Sequence, residues 1–313
     1  MEESNFIHRR NFIQMGGLGA LGILSAPWTQ RAKKEFTLHI LHTNDWHSRI
    51  DPFPESDPKF PGQGGASKRA KIIKDIRSSA DEVLLLDAGD IIQGTPYFNY
   101  YGGEPEIKLM NAMKYDAATL GNHDFDNGIE ALANLIRQAE FQFVNCNYGL
   151  DGTPLQPLIK KSIVVKKKGV RIGITGVGIN LSGYVPDSHH AGIKYLDPIE
   201  NANKEALRLK SEEKCTLVIC LSHLGYSYPD QKVSDKRLAE QSENIDIIIG
   251  GHTHTFLETP EKVRNRKGKN VVINQVGWAG LRLGQIECIF SSQNNTKIEP
   301  EARIKLFKKS IAI

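Results

Sequence analysis

The sequence predicts an α/β fold, and three observations carry that expectation. From residue 36 onward, short apolar runs alternate with stretches of helical spacing. One run, residues 82–87, is apolar almost throughout, as expected of a strand covered on both faces. Short polar motifs rich in His, Asp, Asn and Gly follow directly on five of these runs.

Taken in order, residues 36–41 alternate like a strand. Residues 65–79 are helical in spacing, with Ala66, Ala70, Ile73 and Ile76 on one side. Helices are also expected over 104–113, 129–139 and 201–213. Strands are expected over 117–120, 141–145, 170–177, 216–221, 245–249, 271–275 and 284–291. Lys166-Lys167-Lys168 beside Gly169 reads as a solvated hairpin tip rather than a binding patch. No internal repeat or low-complexity linker interrupts residues 36–292, so they are expected to form one domain. Residues 293–313 are polar, then basic, and are expected to be a C-terminal tail.

A chain of 313 residues is long enough for one large α/β core. Its formal charge of +4 comes with no concentrated basic stripe, which argues against a nucleic-acid polymer as partner. The four cysteines, Cys146, Cys215, Cys220 and Cys288, form no C-x-x-C pair, so neither a zinc finger nor a thioredoxin-like motif is available. Cys215 and Cys220 flank an apolar run and read as buried small hydrophobes, and no disulfide framework is expected.

Residues 1–35 stand apart from the fold. Arg9-Arg10 is followed by Asn11-Phe12-Ile13 and a mild apolar stretch over 15–26. A charged region, a short apolar region and a small-residue end make the layout of an export signal. The paired arginines resemble the twin-arginine class, which implies export to the periplasm. The apolar run is too short to cross a hydrocarbon core of ~30 Å, so no stable membrane span is expected. Gly17-Leu18-Gly19-Ala20-Leu21-Gly22 fits G-x-G-x-x-G, but a polar, charged segment precedes it where a dinucleotide site needs a strand.

The motifs at the strand ends are Asp45-Trp46-His47, Gly89-Asp90, Gly121-Asn122-His123-Asp124, Ser222-His223 and Gly250-Gly251-His252-Thr253-His254. Ligands of open α/β sheets bind beyond the carboxyl ends of the strands, so five such motifs can converge. In extended chain, residues i and i+2 share a side. Asp45 and His47 are therefore expected to face one metal with Trp46 turned away, and His252 and His254 to serve one metal or two. The glycines before Asp90 and His252 permit tight turns and close backbone approach. Asn122 adds a neutral oxygen ligand, and His123 beside it is free for catalysis. Each motif alone is weak, since an isolated His is usually a satisfied structural residue; their joint order carries the inference. His42 is expected to be structural, and His189-His190 to be solvated in a polar loop. The aromatics nearest the motifs in sequence are Trp46, Tyr97, Phe98, Phe125 and Tyr226, with Phe98 and Phe125 expected in the core.

This order of motifs resembles the calcineurin-like metallophosphoesterases and, within them, the catalytic domain of the 5′-nucleotidase group. The matching stretches are His42-Thr43-Asn44-Asp45-Trp46-His47, Gly89-Asp90-Ile91-Ile92-Gln93-Gly94-Thr95-Pro96, Thr119-Leu120-Gly121-Asn122-His123-Asp124-Phe125-Asp126, Ser222-His223-Leu224-Gly225 and Gly250-Gly251-His252-Thr253-His254, spread over roughly residues 36–292. The resemblance implies a four-layer sandwich of two mixed β-sheets flanked by helices. It implies one divalent metal ion held by Asp45, His47, Asp90 and His254, and another by Asp90, Asn122, His223 and His252, with Asp90 bridging. Imidazole with carboxylate suits Mn, Zn, Fe or Co better than Ca or Mg. Such a pair would bind phosphate oxygens and activate water at neutral pH. His123 would stabilise the transition state or protonate the leaving oxygen, and Asp126 would orient and charge His123.

The expected activity is therefore two-metal hydrolysis of a small-molecule phosphate ester, a 5′-nucleotidase-like phosphomonoesterase acting on nucleotides. Full-length members of that group carry a C-terminal domain with nucleoside-stacking aromatics and phosphate-binding arginines. The sequence stops about where that domain would begin, so either the domain is separately encoded or the substrate differs. Two alternatives stand beside this reading: a periplasmic sulfur-oxidation-type dimanganese hydrolase acting on a sulfonate linkage, and a metal-binding subunit of a split nucleotidase. An intact His123–Asp126 pair argues against the second.

Overall fold

The computed structural model describes residues 34–292 and 301–303. The export signal and the G-x-G-x-x-G run read near the N-terminus lie outside the described residues. The first strands are β1 (Lys34–Thr43), β2 (Glu82–Asp87), β3 (Ala117–Ala118), β4 (Gln142–Val144), β5 (Tyr148–Gly149), β6 (Ile159–Lys160), β7 (Ser162–Lys167) and β8 (Val170–Gly178). They are followed by β9 (Lys194–Tyr195), β10 (Leu217–His223), β11 (Ile247–Gly250), β12 (Glu261–Arg264), β13 (Asn270–Asn274), β14 (Gly284–Ser292) and β15 (Glu301–Arg303). The helices are α1 (Ala66–Ser79), α2 (Pro96–Tyr101), α3 (Glu104–Met113), α4 (Gly128–Ile136), α5 (Pro198–Ser211) and α6 (Asp235–Gln241).

One sheet runs β15-β14-β1-β2-β3-β4-β6 and the other β12-β13-β11-β10-β8-β7, with a separate β5-β9 pair. Parallel pairing joins β1, β2, β3, β4 and β6, and also β8, β10, β11 and β13. Antiparallel β7, β12 and β15 make both sheets mixed.

The two-residue alternation of strands builds the layers. Leu38, Ile40, Leu84 and Leu86 project from the first sheet onto Ile172, Ile174, Leu217, Ile219, Leu221, Ile247 and Ile249 of the second. Leu41, Val83 and Leu85 project the other way, onto Ala66 and Ile73 of α1, Ile107 and Met110 of α3 and Leu132 of α4. Val218, Cys220 and Ile248 meet Ala202, Ala206 and Leu209 of α5 and Leu238 of α6. The result is helix, sheet, sheet, helix: the four-layer sandwich that the resemblance implied. Each such side chain taken out of water stabilises the fold by about 1.5–3 kcal/mol before entropy.

The lysine hairpin forms where it was expected. Lys167 pairs with Val170, and Lys168 (φ 43°) and Gly169 (φ 85°) make a two-residue turn with both residues left-handed. The expected 129–139 helix ends at Ile136, because i→i+3 bonds from Gln138 to Leu135 and from Ala139 to Ile136 tighten its last turn. The expected 201–213 helix begins earlier, at Pro198, capped by the Asp197 carboxylate accepting the Glu200 N–H at 2.8 Å. Strand 117–120 shrinks to two residues before the chain turns into the loop carrying Asn122. The short β5, β6, β9 and β12 and helices α2 and α6 were not expected. β15 pairs with β14, so the first sheet takes up residues of the segment read as a tail.

All four cysteines are buried and free. His42 is structural: it is fully buried, its Nε2 lies 2.8 Å from Asn274 Nδ2, and burial pushes its pKa down to about 3. His189 and His190 are half-buried rather than solvated, because the loop folds against the start of α4, where His189 lies next to Gly128.

Candidate metal centre

The carboxyl ends of β1, β2 and β3 from one sheet meet those of β10 and β11 from the other. The loop after β1 is laced to the loop after β2 by backbone bonds, Asp45 N–H to Gly89 O (2.9 Å), His47 N–H to Asp90 O (3.0 Å) and Ser48 N–H to Ile91 O (3.1 Å). The second sheet joins through Asp45, whose carboxylate oxygens both accept the His252 N–H, at 2.9 and 3.0 Å.

The side chains converge as expected, but not for the expected reason. Asp45 (φ 49°), His47 (φ 53°), Asp90 (φ 55°), His252 (φ 75°) and His254 (φ 52°) are all left-handed, not extended. Non-glycine residues there cost on the order of 1–3 kcal/mol each and persist only where the surroundings over-determine them. The loop-to-loop bonds supply that constraint. Trp46 is turned away and buried, as expected. Glycine is required at position 89, which has φ 89° and where a Cβ would collide with the backbone of Gly121.

Two groups result. In Asp45, His47 and His254, and again in Asp90, His223 and His252, one ligand-type atom per residue falls within 4.8 Å of the others. His254 Nε2 lies 3.3 Å from Asp45 Oδ1 and 3.0 Å from His47 Nε2. Asp90 Oδ2 is 3.1 Å from His223 Nε2 and 3.8 Å from His47 Nε2, so it faces both groups. His223 is itself the last residue of β10 rather than a residue after it.

Two of the imidazoles are held through their other ring nitrogen. His223 Nδ1 lies 2.7 Å from Ala88 O and His47 Nδ1 lies 3.1 Å from Gln93 O. An Nδ1–H donating to each carbonyl leaves Nε2 with a lone pair for a ligand. Burial lowers the pKa of His47 and, for His252, lowers it to about 4, so both favour the neutral, ligating form. Burial would also lower His223, but the charge of Asp90 outweighs it and holds the pKa up to about 10. Asn122 Oδ1 is buried and has no hydrogen-bond partner. An orphaned buried acceptor of this kind is costly unless something satisfies it. The donor set of imidazoles, carboxylates and one amide oxygen therefore fits two divalent transition-metal ions.

His123 lies outside both groups. Its Nδ1 is 2.8 Å from Asp126 Oδ2, and that hydrogen bond raises its pKa against a smaller opposing effect of burial.

Several contributors were missed in the sequence. Asp124 was quoted in a motif without a role, yet its carboxylate gathers the backbone N–H groups of the Asp90 loop. Asn44 donates to Asp45 Oδ2 and to Gly277 O, both at 2.6 Å. Trp278 stacks on His254 with ring centroids 5.6 Å apart, and Tyr184 packs edge-on against His252 at 5.3 Å. Both aromatics are remote in sequence from the histidines they touch, so no local signal marked them. Of the aromatics named from proximity in sequence, Trp46 and Phe125 are buried, Phe98 is half-buried, and Tyr97 and Tyr226 bond to Asp51 and Glu261.

A four-layer sandwich with a two-group centre at its strand ends defines a metallophosphoesterase architecture. The calcineurin-like phosphoesterase family model matches residues 38–256, which hold every residue of the two groups, and the chain belongs to that family. It is 33% identical over 287 residues to the snake venom 5′-nucleotidase of Crotalus adamanteus, covering 84% of this chain and 47% of that protein. It is also 33% identical to the Homo sapiens 5′-nucleotidase, covering 88% of this chain and 50% of that protein. The solved 5′-nucleotidase precursor from Thermus thermophilus matches with a TM-score of 0.72 at 31% identity, over 86% of this chain and 54% of that one. The chain thus spans about half the length of the curated relatives it matches.

Proposed function

We propose that this chain is the catalytic part of a two-metal phosphoesterase that hydrolyses nucleotide phosphomonoesters. The observation that carries the proposal is the meeting of two ligand groups at Asp90, beside a buried Asn122 oxygen that nothing else satisfies. Asp45, His47, Asp90 and His254 would hold one ion, and Asp90, Asn122, His223 and His252 the other. Bound there, the ions would neutralise phosphate charge and activate the attacking water. Mn, Zn, Fe and Co are the candidates.

The chain's own residues supply the remainder. His123, held by Asp126, presents Nε2 to the reacting group and donates a proton to the leaving oxygen or steadies its charge. Asp126 fixes the imidazole by accepting from Nδ1–H. Tyr184 and Trp278 hold His252 and His254 from the side.

Nucleotides are proposed as the substrate class because the relatives above are named 5′-nucleotidases. A nucleoside-gripping domain of the kind the resemblance implies is the proposed partner for the strand-end face. Export by a twin-arginine-type signal is proposed from the order of charged and apolar residues near the N-terminus. No helix among the described residues is long and apolar enough to cross a membrane.

The test is turnover of AMP and of an aryl phosphate by the purified chain, with and without added Mn²⁺. Metal-dependent release of phosphate is expected, with weak discrimination between the two substrates. A preference for AMP of ~10³ or more, about 4 kcal/mol of differential transition-state binding, would mean that this chain grips the nucleoside unaided. Failure on every phosphate ester, with turnover of a sulfonate, would favour the sulfur-oxidation reading.

A further inference from the structure

We infer that Arg69 is a positioning residue for one of the two ligand groups, Asp45–His47–His254, and not for the other. Arg69 belongs to α1 and is fully buried, an unusual place for a guanidinium. It makes no salt bridge within 4 Å among the described residues, and none of its three side-chain nitrogens has a hydrogen-bond partner there. Its principal contact is the Trp46 ring, with Cζ 3.9 Å from the centroid. A guanidinium over an indole ring makes a cation–π contact, and desolvation strengthens it.

The position of that contact gives it a consequence. Trp46 stands between Asp45 and His47, so the ring that Arg69 holds sets the turn from which both ligands project. That turn is left-handed at Asp45 and at His47, and so depends on outside constraint. Trp46 Nε1–H also donates to Arg49 O at 2.7 Å, closing the turn around the ring.

Arg69 also abuts Gly280, where a Cβ would collide with Nη1. Gly280 belongs to the loop whose Ala279 N–H donates to Asp45 O at 2.7 Å and whose Trp278 stacks on His254. One guanidinium therefore touches both the turn carrying Asp45 and His47 and the loop that backs His254. The Asp90–His223–His252 group, although bonded to the same turn through His252 and Asp90, has anchors of its own in Ala88, Asp124 and Tyr184.

This inference rests on the two-metal reading above, and its test separates the two. Co²⁺ is titrated into metal-free protein, and binding is followed by visible absorption and by counting bound metal. The unaltered chain should bind two equivalents; binding none would count against the two-metal reading itself, before any variant is considered. Arg69→Met should keep one equivalent at its original affinity and weaken the other by roughly 10- to 100-fold, the usual cost of losing a residue that orients ligands. Its spectrum should resemble that of His47→Ala, and combining the two changes should cost little more than His47→Ala alone. Combining Arg69→Met with His252→Ala should impair both sites.

Trp46→Phe tests the same contact from the ring side and should show the same selectivity. Arg69→Lys keeps the charge but loses the planar stack and should fall between. A folded Arg69→Met or Trp46→Phe chain that binds both ions normally, or that loses both equally, overturns the inference. Failure of all three variants to fold would make Arg69 a general core requirement and would overturn it as well.

Discussion

The Asp124 carboxylate accepts the backbone N–H of Asp90 at 3.0 Å, and so one carboxylate shapes the loop from which another projects between the two ligand groups. It also accepts the N–H groups of Ile91 (2.9 Å), Ile92 (3.3 Å) and Gly121 (2.8 Å), tying the loops after β2 and β3 together. Replacing Asp124 with Ala strands several buried donors, each costing about 1–3 kcal/mol. Asp124→Ala is therefore expected to lose upwards of about 3 kcal/mol of stability in urea unfolding and to purify with reduced metal. Asp124→Asn, which keeps one acceptor oxygen, should lose less. Unchanged stability and metal content in Asp124→Ala would refute this account of the loop.

Asp90 faces both groups through one oxygen, while its Oδ1 accepts the His123 N–H at 2.8 Å. Asp90→Asn keeps the shape and removes the shared charge, so bound metal and turnover should both fall steeply. Full occupancy of two ions with normal turnover would contradict the bridging role.

His123 separates chemistry from metal binding. His123→Ala should retain both ions and lose rate by ~10²–10⁴-fold; loss of metal would instead make His123 a ligand. The pH dependence follows from Asp126, whose hydrogen bond raises the His123 pKa. With protonated His123 as the proposed acid, the expected activity is full below that pKa and falls as pH rises through it. Asp126→Asn lowers the pKa, and the alkaline limb of kcat/KM should move to lower pH than in the unaltered chain. A limb that stays in place would exclude His123 as the titrating acid.

Gly89 offers a backbone test at a position that carries no side chain of its own, although a Cβ there would also come within 3.0 Å of His223 Nδ1. Its left-handed φ and the absence of space for a Cβ beside Gly121 mean that Ala at this position strains the chain and pushes the β2 and β3 loops apart. The conformational part alone is about 1–2 kcal/mol. Gly89→Ala should lower the Tm and bind metal weakly at the Asp90 group, as read by differential scanning calorimetry and metal analysis. A chain that tolerates Ala at this position with normal metal content would show that the loops can part without harm.

Much of the fold was legible because its signals are local. The run from Glu82 to Asp87 and the helix with Ala66 and Ile73 on its inner face declare themselves by periodicity. The short strands β5, β6 and β9, of two residues each, have too few side chains to show a period. The residues of the two groups were legible for a related reason: each motif sits within a few residues of a strand end, and the glycines beside Asp90 and His252 mark close approach.

By itself, then, the sequence determined which side chains could make the centre and that they would stand at one end of parallel strands, because alternation along a strand and residue type are properties of neighbouring positions. Only the tertiary structure decided how they face one another. Asp45 and His47 share a side because their N–H groups donate to the carbonyls of Gly89 and Asp90 and hold a left-handed turn, not because the chain is extended. Trp278 reaches His254, Tyr184 reaches His252 and Arg69 reaches Trp46 across long separations in the chain. Such contacts leave no trace in local pattern, since the constraint that creates them comes from packing one sheet and its loops against another.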